Sequence, residues 1–256
     1  MLIAVILISF LSALITFFSG FGLGTILLPT FAMFLPLEWA ITSTAVVHLL
    51  NNVFKLLMNY KNTHWKTAWR FSITAIPFAY LGSQLFNWLY YKPTGVSFVI
   101  SSVSFESNAI KISIGLVMIL FALFEWIPEN KKPTFTSQWM ILGGALSGFF
   151  GGLSGHQGAL RSAFFIRTEM TKAQILATGI VVACGIDFIR LSFYPTRWEL
   201  LFNPQYSLLI WLSVLSAILG SLIGQIYLKK ITLPILKNIT ASGLVILGAF
   251  MILGII

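Results

Sequence analysis

The sequence predicts an all-α polytopic membrane protein: about ten hydrophobic segments in two inverted five-helix repeats, with broken or re-entrant helices. Three observations lead there. The chain is 57% hydrophobic and only 9% charged, whereas an ordinary soluble domain carries roughly 25% charged residues. Two apolar stretches are interrupted by the same dipeptide, Ser19-Gly20 and Ser154-Gly155, 135 residues apart. The same offset carries Asn52 onto Asp187 and Lys55 onto Arg190, and between 17–58 and 152–193 five positions are identical: Ser19, Gly20, Val46, Val47 and Leu56 with their partners. Broken helices place free backbone N–H groups and a positive dipole end at depth, and duplicated halves supply two exchangeable arrangements around one site. A membrane chain that repeats both a glycine break and an intramembrane cation reads as a transporter for an anion.

In order, the apolar segments are about 2–18, 21–36, 39–60, 69–91, 109–127, 138–153, 156–167, 172–194, 207–228 and 235–255. Most approach the ~20 residues that a helix needs to cross a bilayer core. The pairs flanking each Ser-Gly break are shorter and read as hairpins that enter the membrane and return. Backbone unpaired at such a break is tolerated only where it is buried in protein or lines a cavity, so both breaks are candidate site walls. The first segment lacks a basic leader and Ser19-Gly20-Phe21 is a poor cleavage site, so it is expected to remain in the mature protein. Cys184 is the only cysteine, which excludes a disulfide framework and a cysteine metal site.

Charge placement supports ten segments. The odd-numbered connections hold Lys61, Lys66, Arg70, Lys131, Lys132, Arg167, Lys172, Lys229, Lys230 and Lys237, and the even-numbered ones only Lys92, Lys111 and Arg197. This bias puts the odd connections in the cytoplasm and both termini outside. Counting each broken pair as one crossing erases the bias. Five crossings per half is an odd number, so the halves must be inverted: an N-terminal membrane repeat over 1–127, a polar cytoplasmic linker over 128–137 and a C-terminal repeat over 138–256. The connection from Lys92 to Asn108 is Ser-rich and apolar enough for the outer surface. A net charge of +9 then reads as orientation signal toward membrane lipid, and nucleic acid is not an expected partner.

Chemistry must come from polar residues within the membrane. Thr44, His48, Asn51, Asn52, Lys55 and Asn59 recur at spacings of three and four and share one helix face. That face is either a buried polar seam or a substrate path. Lys55 lies six residues before Lys61, roughly 9 Å at 1.5 Å per residue, so snorkelling to the inner interface is an alternative to a role at depth. Asp187, the only aspartate, and Arg190 lie three apart and can pair; the pair is either structural, or Asp187 carries protons or releases Arg190 to substrate. The run Gly151-Gly152-Leu153-Ser154-Gly155-His156-Gln157-Gly158-Ala159-Leu160-Arg161 is the densest polar cluster at depth. Its glycines permit close backbone approach, and the helix start after the break offers N–H donors beside His156 and Gln157. Arg161 sits in mid-segment, where it cannot snorkel as easily as Lys55, and can grip an oxyanion with two donors; the bland alternatives are a pair with Asp187 or capping of carbonyls. The matching first-half run, Ser19-Gly20-Phe21-Gly22-Leu23-Gly24, could serve packing alone.

With Thr44-Ala45-Val46-Val47-His48-Leu49-Leu50-Asn51-Asn52-Val53-Phe54-Lys55 and the Gly-Gly-Leu-Ser-Gly-His-Gln-Gly-Ala-Leu-Arg run, the chain resembles the sulfite exporter TauE/SafE family of bacterial membrane permeases along nearly its whole length. The resemblance implies a secondary carrier, without ATP, that moves sulfur oxyanions or organosulfonates such as sulfite or sulfoacetate across the inner membrane. Many members carry consecutive glycines and a following proline in both halves. Here the second break holds His156-Gln157, with Arg161 further along, which builds a different set of ligands.

Other classes fit less well. Gly152-Leu153-Ser154-Gly155 matches the Gly-x-Ser-Gly of rhomboid-like proteases, but no histidine lies on a helix after the serine to act as base. No zinc motif and no nucleotide-binding loop is present. A passive anion channel is the main competitor, and a membrane scaffold is disfavoured by the many polar groups at depth. The expected protein is a non-enzymatic inner-membrane carrier needing no cofactor or metal, its partners a small anion and lipid, a homo-oligomer being left open. Substrate-binding candidates are Arg161, His156, Gln157, Ser154, Gly155, Lys55, Asn52, Arg190, Gly20 and Gly22; Asp187 and His48 are the proton-coupling candidates.

Overall fold

The computed structural model describes residues 2–17, 23–92, 95–100, 103–127, 139–165, 168–195, 197–204, 206–227 and 233–255. Each of the ten apolar segments contains a helix: α1 (Leu2–Thr16), α2 (Leu23–Ala32), α3 (Leu37–Asn59), α4 (Trp65–Tyr91), α5 (Ala109–Trp126), α6 (Met140–Ser154), α7 (Gly158–Phe165), α8 (Lys172–Phe193), α10 (Ser207–Tyr227) and α11 (Leu233–Ile252). Between α8 and α10 lies a short α9 (Arg197–Phe202). The linker 128–137 and the first-half break, with Ser19, Gly20 and Gly22, fall outside the described residues.

Among the described residues, four helical spans are long and apolar enough to cross a bilayer: Leu37–Asn62, Ala109–Trp126, Lys172–Phe193 and Ser207–Ile226. By contrast α2 has 10 residues and α7 has 8, about 15 and 12 Å of helix, well short of a hydrocarbon core of ~30 Å. Neither can span alone. α4 begins at Trp65, four residues before the apolar run suggests, because His64 caps it by accepting from Thr67 N–H at 3.3 Å. The Lys92–Asn108 connection contains a β-hairpin, β1 (Gly95–Ile100) antiparallel to β2 (Val103–Asn108), where the sequence suggested only an outer loop. Asn108 ends that hairpin and caps α5, accepting from Lys111 N–H at 2.9 Å. The hairpin rests on the far end of the chain: Ser107 Oγ donates to Met251 O at 3.2 Å.

Helices from the two sides of the linker pack against each other. α4 lies along α6, α1 along α10, α5 along α11, and α3 against α8 in the middle. The α4–α6 seam depends on glycine. A Cβ on Gly144, Gly148 or Gly152 would lie 2.3, 2.0 or 2.0 Å from the carbonyl oxygens of Phe71, Ala75 and Ala79, so only hydrogen at these positions permits the backbones to approach this closely. Gly220 and Gly224 of α10 face Phe10 and Leu14 of α1 in the same way. Serine and threonine hydroxyls inside the bundle donate one turn back along their own helices, as Ser9 does to Val5 O at 2.7 Å and Ser83 to Ala79 O at 2.8 Å, which satisfies them where no water is present. Trp65, Trp69, Trp88, Tyr91, Trp126 and Trp139, all at or near helix ends, are exposed and suit the two membrane–water interfaces.

Candidate functional site

The polar face of α3 turns inward as its spacing requires: Thr44, His48, Asn51, Asn52 and Lys55 are all buried. Asn51 accepts from Ser221 Oγ of α10 at 2.8 Å, a structural contact. Lys55 is only 5% exposed and its ammonium lies 5.1 Å from the centre of the Phe17 ring. It is therefore held inside the bundle by a cation–π contact and does not snorkel.

At the centre is Asp187 of α8, fully buried. Its Oδ1 accepts from Gln157 Nε2 at 2.9 Å and lies 3.0 Å from Arg190 Nη2; its Oδ2 lies 2.5 Å from His48 Nδ1. Carboxylate, guanidinium, amide and imidazole thus join α3, the second break and α8 in one network. The Asp187–Arg190 pair follows from their spacing. The link from His48 to Asp187, across 139 residues, carries no local signal; only the packing of α3 against α8 brings them together.

The second break is built by backbone. α6 ends at Gly155, whose φ of +84° is a left-handed conformation that suits glycine. A Cβ there would also lie 2.2 Å from Arg190 Nη1, so the guanidinium lies directly over this glycine. Gly24, at the start of α2, is close to the same place: a Cβ on it would sit 3.7 Å from His48 and 3.9 Å from Gly155 O. After the break, Gln157 N–H donates to Gly155 O and Arg161 N–H to Gln157 O, which starts α7. Arg161, 3% exposed, donates from Nη1 to Gln157 Oε1 at 3.2 Å and packs over Gly179 of α8.

The expected site residues fall into two groups. A small cleft is lined by Thr16, Phe17, Leu23, His48, Asn52, Lys55, Arg161, Leu176 and Ile180. It brings together two cations, an imidazole and an amide within apolar walls. Ser154, Gly155, His156 and Arg190 do not line it; they gather around the α6 C-terminus and Asp187. His156, expected beside Arg161, instead turns toward Ser154 Oγ at 3.0 Å and stacks on Phe121 with ring centres 5.9 Å apart. Gln157 does lie beside Arg161. The sequence reading missed Thr16, Phe17, Leu176 and Ile180, ordinary apolar-segment residues by type, and Tyr194, whose hydroxyl donates to Gly152 O at 2.6 Å.

Comparison with curated proteins and with solved structures found no match. Residues 5–251 match the protein family described as Sulfite exporter TauE/SafE, a family of transporters and not of enzymes. The match covers nearly the whole chain, so the breaks, the central network and the cleft all lie within it. This chain belongs to the sulfite exporter TauE/SafE family of membrane transporters of sulfur anions.

Proposed function

We propose that the protein is a secondary carrier that moves a small sulfur oxyanion or organosulfonate, sulfite- or sulfoacetate-like, by alternating access. The observation that carries this reading is the convergence of Arg161 and Lys55 on one cleft among apolar helices, with Asp187 as a resident counter-charge behind it. Arg161 is the principal ligand, because a guanidinium offers several donors in fixed geometry to an oxyanion, and the N-terminal end of α7 adds positive potential from the same side. Asn52 supplies a further donor. Lys55, on the cleft wall, draws the anion in. His48 joins the cleft to Asp187, so a proton taken up there would reach the carboxylate directly and loosen its hold on Arg190 and Gln157.

The pattern of packing supports an inverted repeat. Exchanging α1, α2, α3, α4 and α5 for α6, α7, α8, α10 and α11 turns the α1–α10 seam into the α6–α4 seam and maps α3–α8 and α5–α11 onto themselves. Under the 135-residue offset, the cleft residues Lys55 and Asn52 correspond to Arg190 and Asp187. Alternating access would expose such a pair of equivalent positions to one face of the membrane at a time. With the basic connections inside, the cleft faces the cytoplasm, in a bacterial inner membrane with both termini outside.

The test is sulfite binding by purified Arg161 variants. Arg161→Lys keeps the charge and loses the planar grip, so affinity falls about ten- to a hundredfold, as a loss of ~1.5 to 3 kcal/mol of charge-assisted hydrogen bonding implies. Arg161→Gln abolishes binding in the cleft. Unaltered sulfite affinity in a monodisperse Arg161→Gln protein would place the site elsewhere.

A further inference from the structure

Arg190 is 1% exposed and His156 2% exposed. The Arg190 guanidinium meets Asp187 and the Tyr194 hydroxyl, yet its Nε and Nη1 make no hydrogen bond of normal geometry among the described residues, and neither does His156 Nε2. Buried polar atoms in folded proteins nearly always have partners, and an unmet buried donor on a charged group is especially costly. Gly155 connects the two side chains: Arg190 Nη1 lies over its α-carbon, and His156 is the next residue. Tyr194 closes the region, its hydroxyl on Gly152 O and its ring 4.5 Å from that of Phe86.

The hydrogen bonds also fix which way the imidazole is protonated. Ser154 has one hydroxyl proton, and it goes to Phe150 O at 3.1 Å. His156 Nδ1, 3.0 Å from the same oxygen, must then be the donor, so the neutral ring presents a lone pair at Nε2. The side chains around Gly155 therefore offer guanidinium N–H groups that need acceptors and an imidazole nitrogen that needs a proton.

We propose that Arg190 and His156, on either side of Gly155, form a second anion subsite, separate from the cleft residues and selective for an oxyanion that still carries a proton. Its bare oxygens accept from Arg190, and its hydroxyl donates to His156 Nε2. Bisulfite has this form; an alkylsulfonate, fully ionised and without a hydroxyl, does not. The proposal rests on the carrier reading and extends it: a proton crosses with the anion as part of the substrate, in addition to any carried by Asp187.

The experiment is equilibrium dialysis of the purified full chain with labelled sulfite, in mildly acidic buffer where bisulfite predominates, and separately with labelled methanesulfonate. The wild type should bind two sulfite ions per chain and one methanesulfonate. His156→Leu should lose the second sulfite, weakened at least tenfold, and Arg190→Lys should weaken the same ion. Arg161→Gln should lose methanesulfonate and the cleft sulfite while keeping the other. One sulfite per wild-type chain, or two bound by His156→Leu with wild-type affinity, would overturn the second subsite and leave the carrier reading intact. An Arg161→Gln protein that still binds methanesulfonate would overturn the cleft assignment instead. Size-exclusion elution and the thermal midpoint establish that each variant is folded.

Discussion

Asp187 is the group on which most of the interior depends, so its removal is the most informative perturbation. In Asp187→Leu three partners are left behind at once: Arg190 at 1% exposure, Gln157 Nε2 and His48 Nδ1. Stranding one charge of a buried pair costs about 3 to 5 kcal/mol, and each neutral donor left without its acceptor adds about 1 to 3 kcal/mol. The single change should therefore lower stability by at least ~5 kcal/mol. For a chain of this size that is roughly 10 to 20 °C in thermal midpoint, at ~2 to 4 °C per kcal/mol. Removing Arg190 as well, in Asp187→Leu with Arg190→Met, takes away the stranded charge but leaves Gln157 and His48 unpaired. The double variant should then recover about 3 kcal/mol and still fall short of wild type by ~2 kcal/mol or more. The assay is a double-mutant cycle on detergent-purified protein, with thermal unfolding followed by loss of monodisperse species at a fixed heating rate. If the losses from the two single changes simply add in the double variant, Asp187 and Arg190 are not energetically a pair. If the double variant returns fully to wild-type stability, His48 and Gln157 do not depend on the carboxylate.

Three further outcomes follow from other parts of the molecule. Gly148→Ala puts a methyl group 2.0 Å from Ala75 O, so the α4–α6 seam must open, and stability should fall by about 1 to 3 kcal/mol in the same unfolding assay; an unchanged midpoint would contradict the close approach. Lys55→Gln should slow sulfite uptake from the cytoplasmic mouth in inside-out vesicles several-fold, an effect that shrinks as salt is raised because it is a field effect on encounter; salt-independent slowing would argue for direct ligation. In a Cys184→Ala background, single cysteines at Lys61 and Arg197 should label from opposite faces of the membrane, and labelling from one face would defeat the inverted ten-segment arrangement.

The helices were legible in the sequence because apolar length and polar punctuation are local properties. So was the inward turn of Thr44, His48, Asn52 and Lys55, which needs only the helical repeat, and the Asp187–Arg190 pair, which needs only a spacing of three. What crosses between elements was not legible. The His48–Asp187 contact depends on how α3 is laid across α8, and no residue near either one encodes that angle. His156 was expected beside Arg161 because both follow one break, but the left-handed turn at Gly155 sends the ring toward Ser154 and Phe121 while Gln157 continues toward Arg161. The hairpin was missed for a different reason. Segments such as Gly95-Val96-Ser97-Phe98 and Ser104-Phe105-Glu106-Ser107 do alternate, but six-residue strands between two long helices read as a loop until their pairing is seen.

The glycine ridge of α6 against α4 also determines how this chain can be divided. Those two helices lie on opposite sides of the linker yet make the closest backbone contact in the bundle, and α1 and α10 repeat the arrangement. A cut at the linker would therefore leave two fragments, each displaying half of a seam that no lipid tail can fill as closely. Neither fragment has the partner that would cover its ridge, so the two would have to be made together to assemble. Under the proposed alternating access, α4 would for the same reason travel with α6 and α1 with α10, and the border between moving parts would run across the chain's own order.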